Sequence, residues 1–322
     1  MITLSFPGIG IDEFNVNPVA FSIGGLEIRW YGLIIVSAII LALGYCFIRA
    51  RYENINSEDL IDMAIFSILF SVIGARLYYV LMTLGEYDSF LDVISIWNGG
   101  LAIYGAVIAG AITVYVVCRI KKISFLKAFD MASPALMMAQ AIGRWGNFFN
   151  GEAYGQVIPE DSILYFLRMG ITPHEIPGVY GMAYVHPTFL YESIWNIVGF
   201  IIINALYKKK KFDGQVFFMY ITWYGFGRMF IESLRMDSLY LGVFRISQVV
   251  AFVCFVAGSI TLIYKLSKAR RARLTEADYE LAFPKFSHMP ARDFKFDDIE
   301  IDDEKNESED TDLNEEKIEK GE

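Results

Sequence analysis

The stretch Gly143-Arg144-Trp145-Gly146-Asn147-Phe148-Phe149-Asn150-Gly151-Glu152-Ala153-Tyr154-Gly155 closes the fourth long apolar run of the chain. It combines an arginine, a glutamate, two asparagines and four glycines. Charge at the end of a membrane segment is costly without a partner or a function, and glycine lets the backbone approach a ligand closely. The stretch therefore indicates a membrane helix that ends in a functional loop, with the other helices arranged around it.

The composition predicts a polytopic membrane protein that is all α-helical. Of the 322 residues, 55% are hydrophobic, against about 45–50% in soluble domains. The excess falls in blocks of about 20 residues, the length that spans a bilayer. Seven such blocks predict seven transmembrane helices, near residues 30–48, 61–82, 99–117, 125–149, 188–207, 215–234 and 246–266.

Basic residues predict the orientation of these spans. Clusters such as 208–211 follow spans one, three, five and seven, whereas the loops after spans two, four and six are poor in Lys and Arg. Positive residues remain in the cytoplasm. We therefore expect an external N-terminal segment over 1–28, a seven-helix domain over 29–270 with an external loop over 150–187, and a cytoplasmic tail over 271–322.

The formal charge of −9 comes from the tail. Residues 291–322 contain five Lys or Arg and fifteen Asp or Glu, so they cannot bury enough apolar surface to order themselves, and we expect disorder there. Cys46, Cys118 and Cys254 lie in apolar runs and are expected to be small buried hydrophobic residues. No cleavable signal peptide is expected, because no basic segment precedes an apolar one at the N-terminus.

The polar residues of the spans collect at their external ends, except Asp130. A charge within a span costs roughly 2.5–3.5 kcal/mol, so such residues usually have a partner or a function. Several arginines beside exposed glycine backbone predict an anion site, and the anion available in that leaflet is a phospholipid headgroup. The charged members are Arg76, Arg144, Glu192, Arg228, Glu232 and Arg235.

Two other classes of function remain open at this point. Seven spans with internal charges also suit a transporter or channel for an anionic lipid or solute, although the polar groups trace no path to the cytoplasm. An intramembrane protease would need a Ser-His pair or two aspartates within the spans. His174 and His186 are too few for a metal site, and we expect no metal, no cofactor and no nucleic-acid partner.

The 143–155 stretch closely resembles the signature G-R-x-G-N-F-x-N-x-E-x-x-G of the prolipoprotein diacylglyceryl transferases. The resemblance extends over residues 18–270. Its further pieces are Ile28-Arg29-Trp30-Tyr31-Gly32, Gly74-Ala75-Arg76, Trp97-Asn98-Gly99-Gly100-Leu101, His186-Pro187-Thr188 with Leu190-Tyr191-Glu192, and Tyr224-Gly225 with Arg228, Glu232 and Arg235.

The resemblance implies an enzyme of the bacterial cytoplasmic membrane that begins lipoprotein maturation. Such an enzyme moves the diacylglyceryl group of phosphatidylglycerol to the lipobox cysteine of a preprolipoprotein signal peptide. A thioether forms and glycerol phosphate leaves. The partners expected are therefore phosphatidylglycerol, such signal peptides and membrane lipid.

The resemblance also implies roles for single residues. Arg144 and Arg228 match essential arginines, which we expect to stabilise the charge that grows on the phosphate, and Glu232 is expected to hold Arg228. Glu152 is carried over as catalytic and Gly155 as a close backbone approach to the headgroup. The other positions expected to bind substrate are Tyr31, Arg76, Gly99, Gly100, Asn147, Asn150, His186, Glu192, Tyr224 and Arg235.

Tyr104 departs from the family pattern, which often has histidine at this position of span three. The histidine is one proposed base for the thiol, whereas a tyrosine titrates near ~10 and suits neutral pH poorly. Tyr104 is therefore expected to act at the catalytic centre by orienting the thiol or the lipid. Glu152, Glu192 and water remain the alternatives for taking the proton.

Overall fold

The structure is a computed structural model that describes residues 1–87, 89–172, 181–236, 240–242 and 244–282. These residues fall into a unit over Met1–Ser267 and a second unit beginning at Lys268. The helices are α1 Trp30–Glu53, α2 Ser57–Met82, α3 Phe90–Ile94, α4 Ile103–Lys121, α5 Phe125–Asn150, α6 Thr188–Tyr207, α7 Gln215–Leu234 and α8 Ile246–Ala282. The strands are β1 Ile2–Phe6, β2 Ile11–Val16, β3 Val19–Ile23, β4 Leu26–Arg29, β5 Met169–Ile171, β6 Ala183–Val185, β7 Tyr240–Leu241 and β8 Phe244–Arg245.

Five helices of the described chain are long and apolar enough to cross a membrane: α1, α2, α4, α6 and the 246–272 part of α8. Helices α5 and α7 also coincide with predicted runs and have 26 and 20 residues. They are not among the five, and they contain Arg144, Arg228 and Glu232. The fold is thus that of a mostly helical polytopic membrane protein, and the seven-span topology remains a prediction.

The third predicted run starts later than expected. Gly99 and Gly100 have φ angles of 87° and 72°, and α4 begins only at Ile103. Positive φ is incompatible with a right-handed helix and is readily adopted by glycine. The two glycines therefore form the turn that leads into α4, not its first residues.

Helix α5 lies among α1, α6 and α7, and few of its residues are exposed. A second contact joins α2 to α4 through glycines. A Cβ atom on Gly105 would lie 2.2 Å from the carbonyl oxygen of Gly74. Small residues let membrane helices approach this closely, so these positions specify the α2–α4 contact. Cys46 and Cys118 are buried near it, as predicted, whereas Cys254 is half-buried.

Helices α6 and α7 are joined by Trp195 and Trp223. Their rings stack with centroids 4.3 Å apart. Each indole N–H donates to the backbone carbonyl of the other residue, both at 3.0 Å. Gly199 and Gly227 provide the room, since a Cβ atom on either would lie within 2.4 Å of an indole nitrogen.

The predicted external segments fold together into a four-stranded antiparallel sheet, ordered β2-β1-β5-β6. Leu4 of β1 pairs with Ile171 of β5, so the N-terminal segment is paired with the loop over 150–187. The buried side of the sheet packs against Phe148 of α5 and Phe189 of α6. The sheet therefore lies at the end of the helices where the signature stretch is found.

Helix α8 extends through 271–282, which the sequence assigned to the tail. The acidic segment over 283–322 lies outside the described residues, and so does His174. Disorder of the acidic tail remains a prediction.

Candidate functional site

The first half of the signature stretch is the last two turns of α5. The helix ends at Asn150 because Gly151 has a left-handed conformation (φ 61°), and Ala153 follows with φ 56°. Arg144 and Asn147 lie one turn apart, and Arg144 Nη1 donates to Asn147 Oδ1 at 3.3 Å. The helix end thus presents the arginine and the amide side by side, and the chain then turns away.

Glu192, the fifth residue of α6, lies at the centre of the site. Its Oε2 is 2.6 Å from Arg144 Nη2, and its Oε1 is 2.8 Å from Arg228 Nη1 and 3.3 Å from Arg235 Nη1. Its side chain is only 5% exposed. One buried carboxylate therefore connects arginines from α5, from α7 and from the residue that ends α7.

The predicted pair within α7 is present as well. Arg228 Nη2 lies 2.5 Å from Glu232 Oε2, four residues further along the helix. Glu232 is buried, and the contact is an ion pair without hydrogen-bond geometry at that oxygen. We call Arg144, Glu192, Arg228, Glu232 and Arg235 the arginine cluster. Its three arginines and two glutamates leave one positive charge, so it remains suited to an anion.

Glu152 is attached to this cluster through amides. Its Oε1 accepts from Asn147 Nδ2 at 3.0 Å and from Asn150 Nδ2 at 3.3 Å. Unlike Glu192, Glu152 is exposed. Tyr31 of α1 covers the same helix end, because a Cβ atom on Gly146 would lie 2.8 Å from its ring. These contacts bring four predicted residues of the signature and of α1 together beside Arg144: Tyr31, Asn147, Asn150 and Glu152.

Two further tyrosines lie next to the arginine cluster. Tyr224 is close enough to Arg144, Glu192, Arg228 and Tyr104 to interact electrostatically with each of them. The hydroxyl of Tyr104 is 2.7 Å from Ser247 Oγ at the start of α8. Tyr104 therefore lies within electrostatic range of Tyr224, and its own hydroxyl already has a partner in the protein.

Arg76 has a different environment from the other predicted arginines. Its Nη1 donates to the carbonyl oxygens of Gly99 and Gly100, both at 3.0 Å, and its Nε donates to that of Val93 at 2.8 Å. A fourth bond, from Nη2, reaches the carbonyl of Asp92. These contacts tie the segment before α4 to α2. No contact among the described residues joins Arg76 to the arginine cluster.

Gly155 and His186 belong to a backbone junction beside the cluster. Gly155 N–H donates to the carbonyl of His186 at 2.9 Å, and Gly155 forms an antiparallel bridge with Arg235. A Cβ atom on Gly155 would lie 2.9 Å from the carbonyl of Leu234. His186 is buried, which lowers its pKa, and its Nδ1 is 3.3 Å from Tyr191 Oη. The close approach of Gly155 in the structure is to protein backbone, and its contact with a headgroup remains a prediction.

A second charged cluster lies at the other end of α5. Glu53, Asp130 and Asp213 come close enough for metal ligands, but Lys210 Nζ lies between them, 3.2 Å from Asp130 and 3.5 Å from Asp213. Burial lowers the pKa of Lys210, yet its bonds to Glu53 and Asp130 outweigh this and raise the pKa above its usual value. We call these four residues the lysine cluster. In this cluster the positive charge among the carboxylates is the ammonium group of Lys210.

Asp130 also caps α7. Its Oδ2 accepts from Gly214 N–H at 2.8 Å and its Oδ1 from Phe217 N–H at 2.9 Å. A carboxylate in this position satisfies helix N–H groups that have no partner within the helix. These contacts give Asp130 a structural role at the start of α7.

The arrangement of the site was predicted only in part from the residues. The charged residues of the spans were found by their cost in a membrane, but the central position of Glu192 was not. The four-stranded sheet and the separate β3–β4 hairpin were also missed. The hairpin had a usable signal in the sequence. Apolar and polar residues alternate in Phe21-Ser22-Ile23 and in Leu26-Glu27-Ile28, on either side of Gly24-Gly25, which is typical of a two-residue hairpin turn.

The chain matches known proteins over most of its length. Residues 18–264 match the model of a family described as prolipoprotein diacylglyceryl transferase. A phosphatidylglycerol–prolipoprotein diacylglyceryl transferase of Clostridium perfringens is 43% identical over 260 residues, covering 80% of this chain and 98% of the relative. Similar enzymes of Clostridium novyi and Listeria innocua are 44% and 42% identical, covering 77% and 79% of this chain and 95% and 91% of the relatives.

Proposed function

The chain belongs to the prolipoprotein diacylglyceryl transferase family, and we propose that the arginine cluster binds the phosphate of phosphatidylglycerol while the diacylglyceryl group passes to a cysteine thiol. The acceptor is the lipobox cysteine of a preprolipoprotein signal peptide. The observation that carries the proposal is the set of three arginine side chains converging on one buried carboxylate with a surplus of positive charge.

The reaction creates charge at the place where the cluster has cations. The thiolate sulfur forms a bond to the terminal glyceryl carbon, and the bond from that carbon to the phosphate oxygen breaks. The phosphodiester begins with one negative charge, and the departing glycerol phosphate has two. Arg144 is 24% exposed whereas Glu192 is buried, so Arg144 can turn toward the phosphate while Glu192 keeps the cluster together. Preorganised cations of this kind stabilise a transition state in which charge develops.

The thiol proton needs an acceptor, and the contacts favour Glu152 over Glu192. A proton on Glu192 would weaken ion pairs with Arg144, Arg228 and Arg235. The Glu152 side chain accepts hydrogen bonds from two neutral amides of the described chain and is exposed beside Arg144. We assign the proton to Glu152, and Asn147 and Asn150 to its orientation.

An apolar groove beside the cluster suits the acyl chains. It has a volume of about 620 Å³ and lies between α1, α5 and α6. Ala141 lines the groove and lies one turn before Arg144 on α5. Ser193 also lines it and directly follows Glu192 on α6. A lipid can thus place its headgroup at the arginines and a chain in the groove. The remaining lining residues are Ile34, Met138, Ile142, Trp145, Phe149, Ile197, Phe200 and Ile201.

We extend the proposal to the topology. In it, α5 and α7 also cross the bacterial cytoplasmic membrane, which makes seven spans with the cluster at the external side. Support comes from the position of α5 among spans α1 and α6 and from the basic segments at the opposite ends, such as 208–211. Arg144 of α5 and Arg228 of α7 both pair with Glu192 of α6, which offsets the cost of their charge in a membrane.

The test uses purified protein in vesicles with phosphatidylglycerol and a lipobox peptide. The expected products are glycerol phosphate and a peptide heavier by one diacylglyceryl group, both measured by mass spectrometry. A peptide with serine in place of the cysteine is the control and should give neither. If the protein moves an anionic lipid or solute across the vesicle membrane but forms no thioether, the transporter alternative is correct instead.

A further inference from the structure

The β3–β4 hairpin has one apolar face that is exposed. Phe21 pairs with Ile28 and Ile23 with Leu26, and directly opposed residues of an antiparallel pair share a face. The pair between them, Ser22 with Glu27, lies on the opposite face. Ile23 and Leu26 are 66% and 67% exposed, and Phe21 is 48% exposed. The hairpin is therefore amphipathic, with its apolar side largely open.

The glycine turn of the hairpin determines which side chains lie on the apolar face. Gly24 and Gly25 both have positive φ, 57° and 87°. Two such residues form the turn whose twist matches paired strands, and the turn fixes the register. Register in turn decides which side chains share a face. A two-stranded hairpin alone is marginally stable in water, so the apolar face needs a partner.

The position of the hairpin indicates which partner that is. Strand β4 ends at Arg29 and α1 begins at Trp30 without a linker, and Trp30 N–H donates to the carbonyl of Pro18 at 3.0 Å. Helix α1 is one of the five apolar spans, and most of its surface is exposed in the structure. Trp30 and Tyr31, both partly exposed, are the residue types that concentrate at membrane interfaces. The apolar face thus continues the lipid-facing surface of α1.

We propose that the hairpin inserts its apolar face, formed by Phe21, Ile23, Leu26 and Ile28, into the lipid at the boundary of headgroups and acyl chains. Apolar faces of amphipathic segments reach about 5–10 Å into this boundary. Ser22 and Glu27 then face water. The insertion fixes the depth in the membrane at which α1 begins. It thereby also fixes the membrane depth of Tyr31, which packs against Gly146. The inference does not rest on the proposed transferase reaction.

The test places an environment-sensitive fluorophore on either face. Cys46, Cys118 and Cys254 are replaced by alanine, and Ile23→Cys or Ser22→Cys is added and labelled. The protein is reconstituted into vesicles of phosphatidylcholine and phosphatidylglycerol. At Ile23 we expect blue-shifted emission and several-fold stronger quenching by lipids with a shallow spin label than at Ser22. Phe21→Cys, on the apolar face, should repeat the result if Ile23→Cys disturbs the turn.

Two results would overturn the proposal. In the first, the probes on both faces show the emission and weak lipid quenching of a residue in water. In the second, the probe on the apolar face is shielded only after a lipobox peptide is added, which would make the face a peptide surface. Intrinsic tryptophan emission, unchanged among the variants, checks that each protein is folded.

Discussion

The two ends of α5 carry buried charge clusters of opposite net charge. The lysine cluster has three carboxylates around one ammonium group, and Asp130 bonds to backbone N–H groups of α7. The arginine cluster has three guanidinium groups around Glu192, and they contact the side-chain carboxylate of that residue. Backbone partners fix a helix end, whereas a surplus positive charge can be offered to an anionic ligand. We propose that this contrast separates a structural cluster from a functional one.

Replacement of Arg144 by alanine should have the largest effect on activity. Loss of a preorganised charge at a developing anion typically lowers the rate about 10²–10³-fold. Arg144→Lys should recover only part of this loss, because lysine keeps the charge but lacks the planar fork. The measurement is the rate of glycerol phosphate release in vesicles. Lys121→Ala, an exposed ion-pair residue, is the matched control, and an equal loss there would argue against a specific role for Arg144.

Glu192→Gln should lower stability and activity together. The substitution leaves three arginines without their shared carboxylate, and breaking a buried ion pair costs roughly 3–5 kcal/mol. Denaturant or thermal unfolding in detergent measures the change in stability, and the transferase assay measures the change in rate. Unchanged stability with full activity would show that Glu192 does not hold the cluster together.

Asp130→Asn should lower stability but spare the turnover of the protein that remains folded. Asparagine has one acceptor oxygen where the carboxylate uses two, so one buried N–H of α7 loses its partner, at about 1–3 kcal/mol. Activity is normalised to the folded fraction from size-exclusion chromatography. A fall in normalised turnover as large as that of Arg144→Ala would contradict the division between the two clusters.

Tyr104→Phe should have the smallest effect of the four. It removes the hydrogen bond to Ser247 Oγ, which is worth about 1 kcal/mol, and leaves the ring in place. We expect a rate close to that of the unmodified protein and the same pH profile. Tyr78→Phe, the neighbouring ring, is the control. A shifted pH profile for Tyr104→Phe alone would show that the phenol takes part in proton transfer.

Sequence reasoning was most successful for single residues whose placement costs free energy, such as a charged side chain within a membrane span. Arg144 and Arg228 were identified because charge within an apolar run needs a reason, and the pairing of Glu232 with Arg228 that the resemblance implied is present. The same reasoning could not separate Arg76 from them. Cost alone does not distinguish an arginine satisfied by carbonyl oxygens from one that is directed at a ligand.

The features that were missed depend on contacts between distant segments. Strand β1 pairs with β5 across more than 160 residues, and neither is long enough to give a periodic signal by itself. The central role of Glu192 needs α5, α6 and α7 to be placed together. The end of α8 was underestimated because its later turns are charged and no longer resemble a membrane span.

The paired tryptophans have a mechanical consequence. Trp195 lies about one turn beyond Glu192, and Trp223 lies somewhat more than one turn before Arg228. Sliding α6 along α7 would break the ring stack and both indole N–H hydrogen bonds. The two helices are therefore expected to move together as one rigid unit. In the proposed function, a two-chain lipid would therefore enter by motion between other helices. Glu192 and Arg228, proposed to hold the phosphate site together, lie on the two helices that keep their relative position.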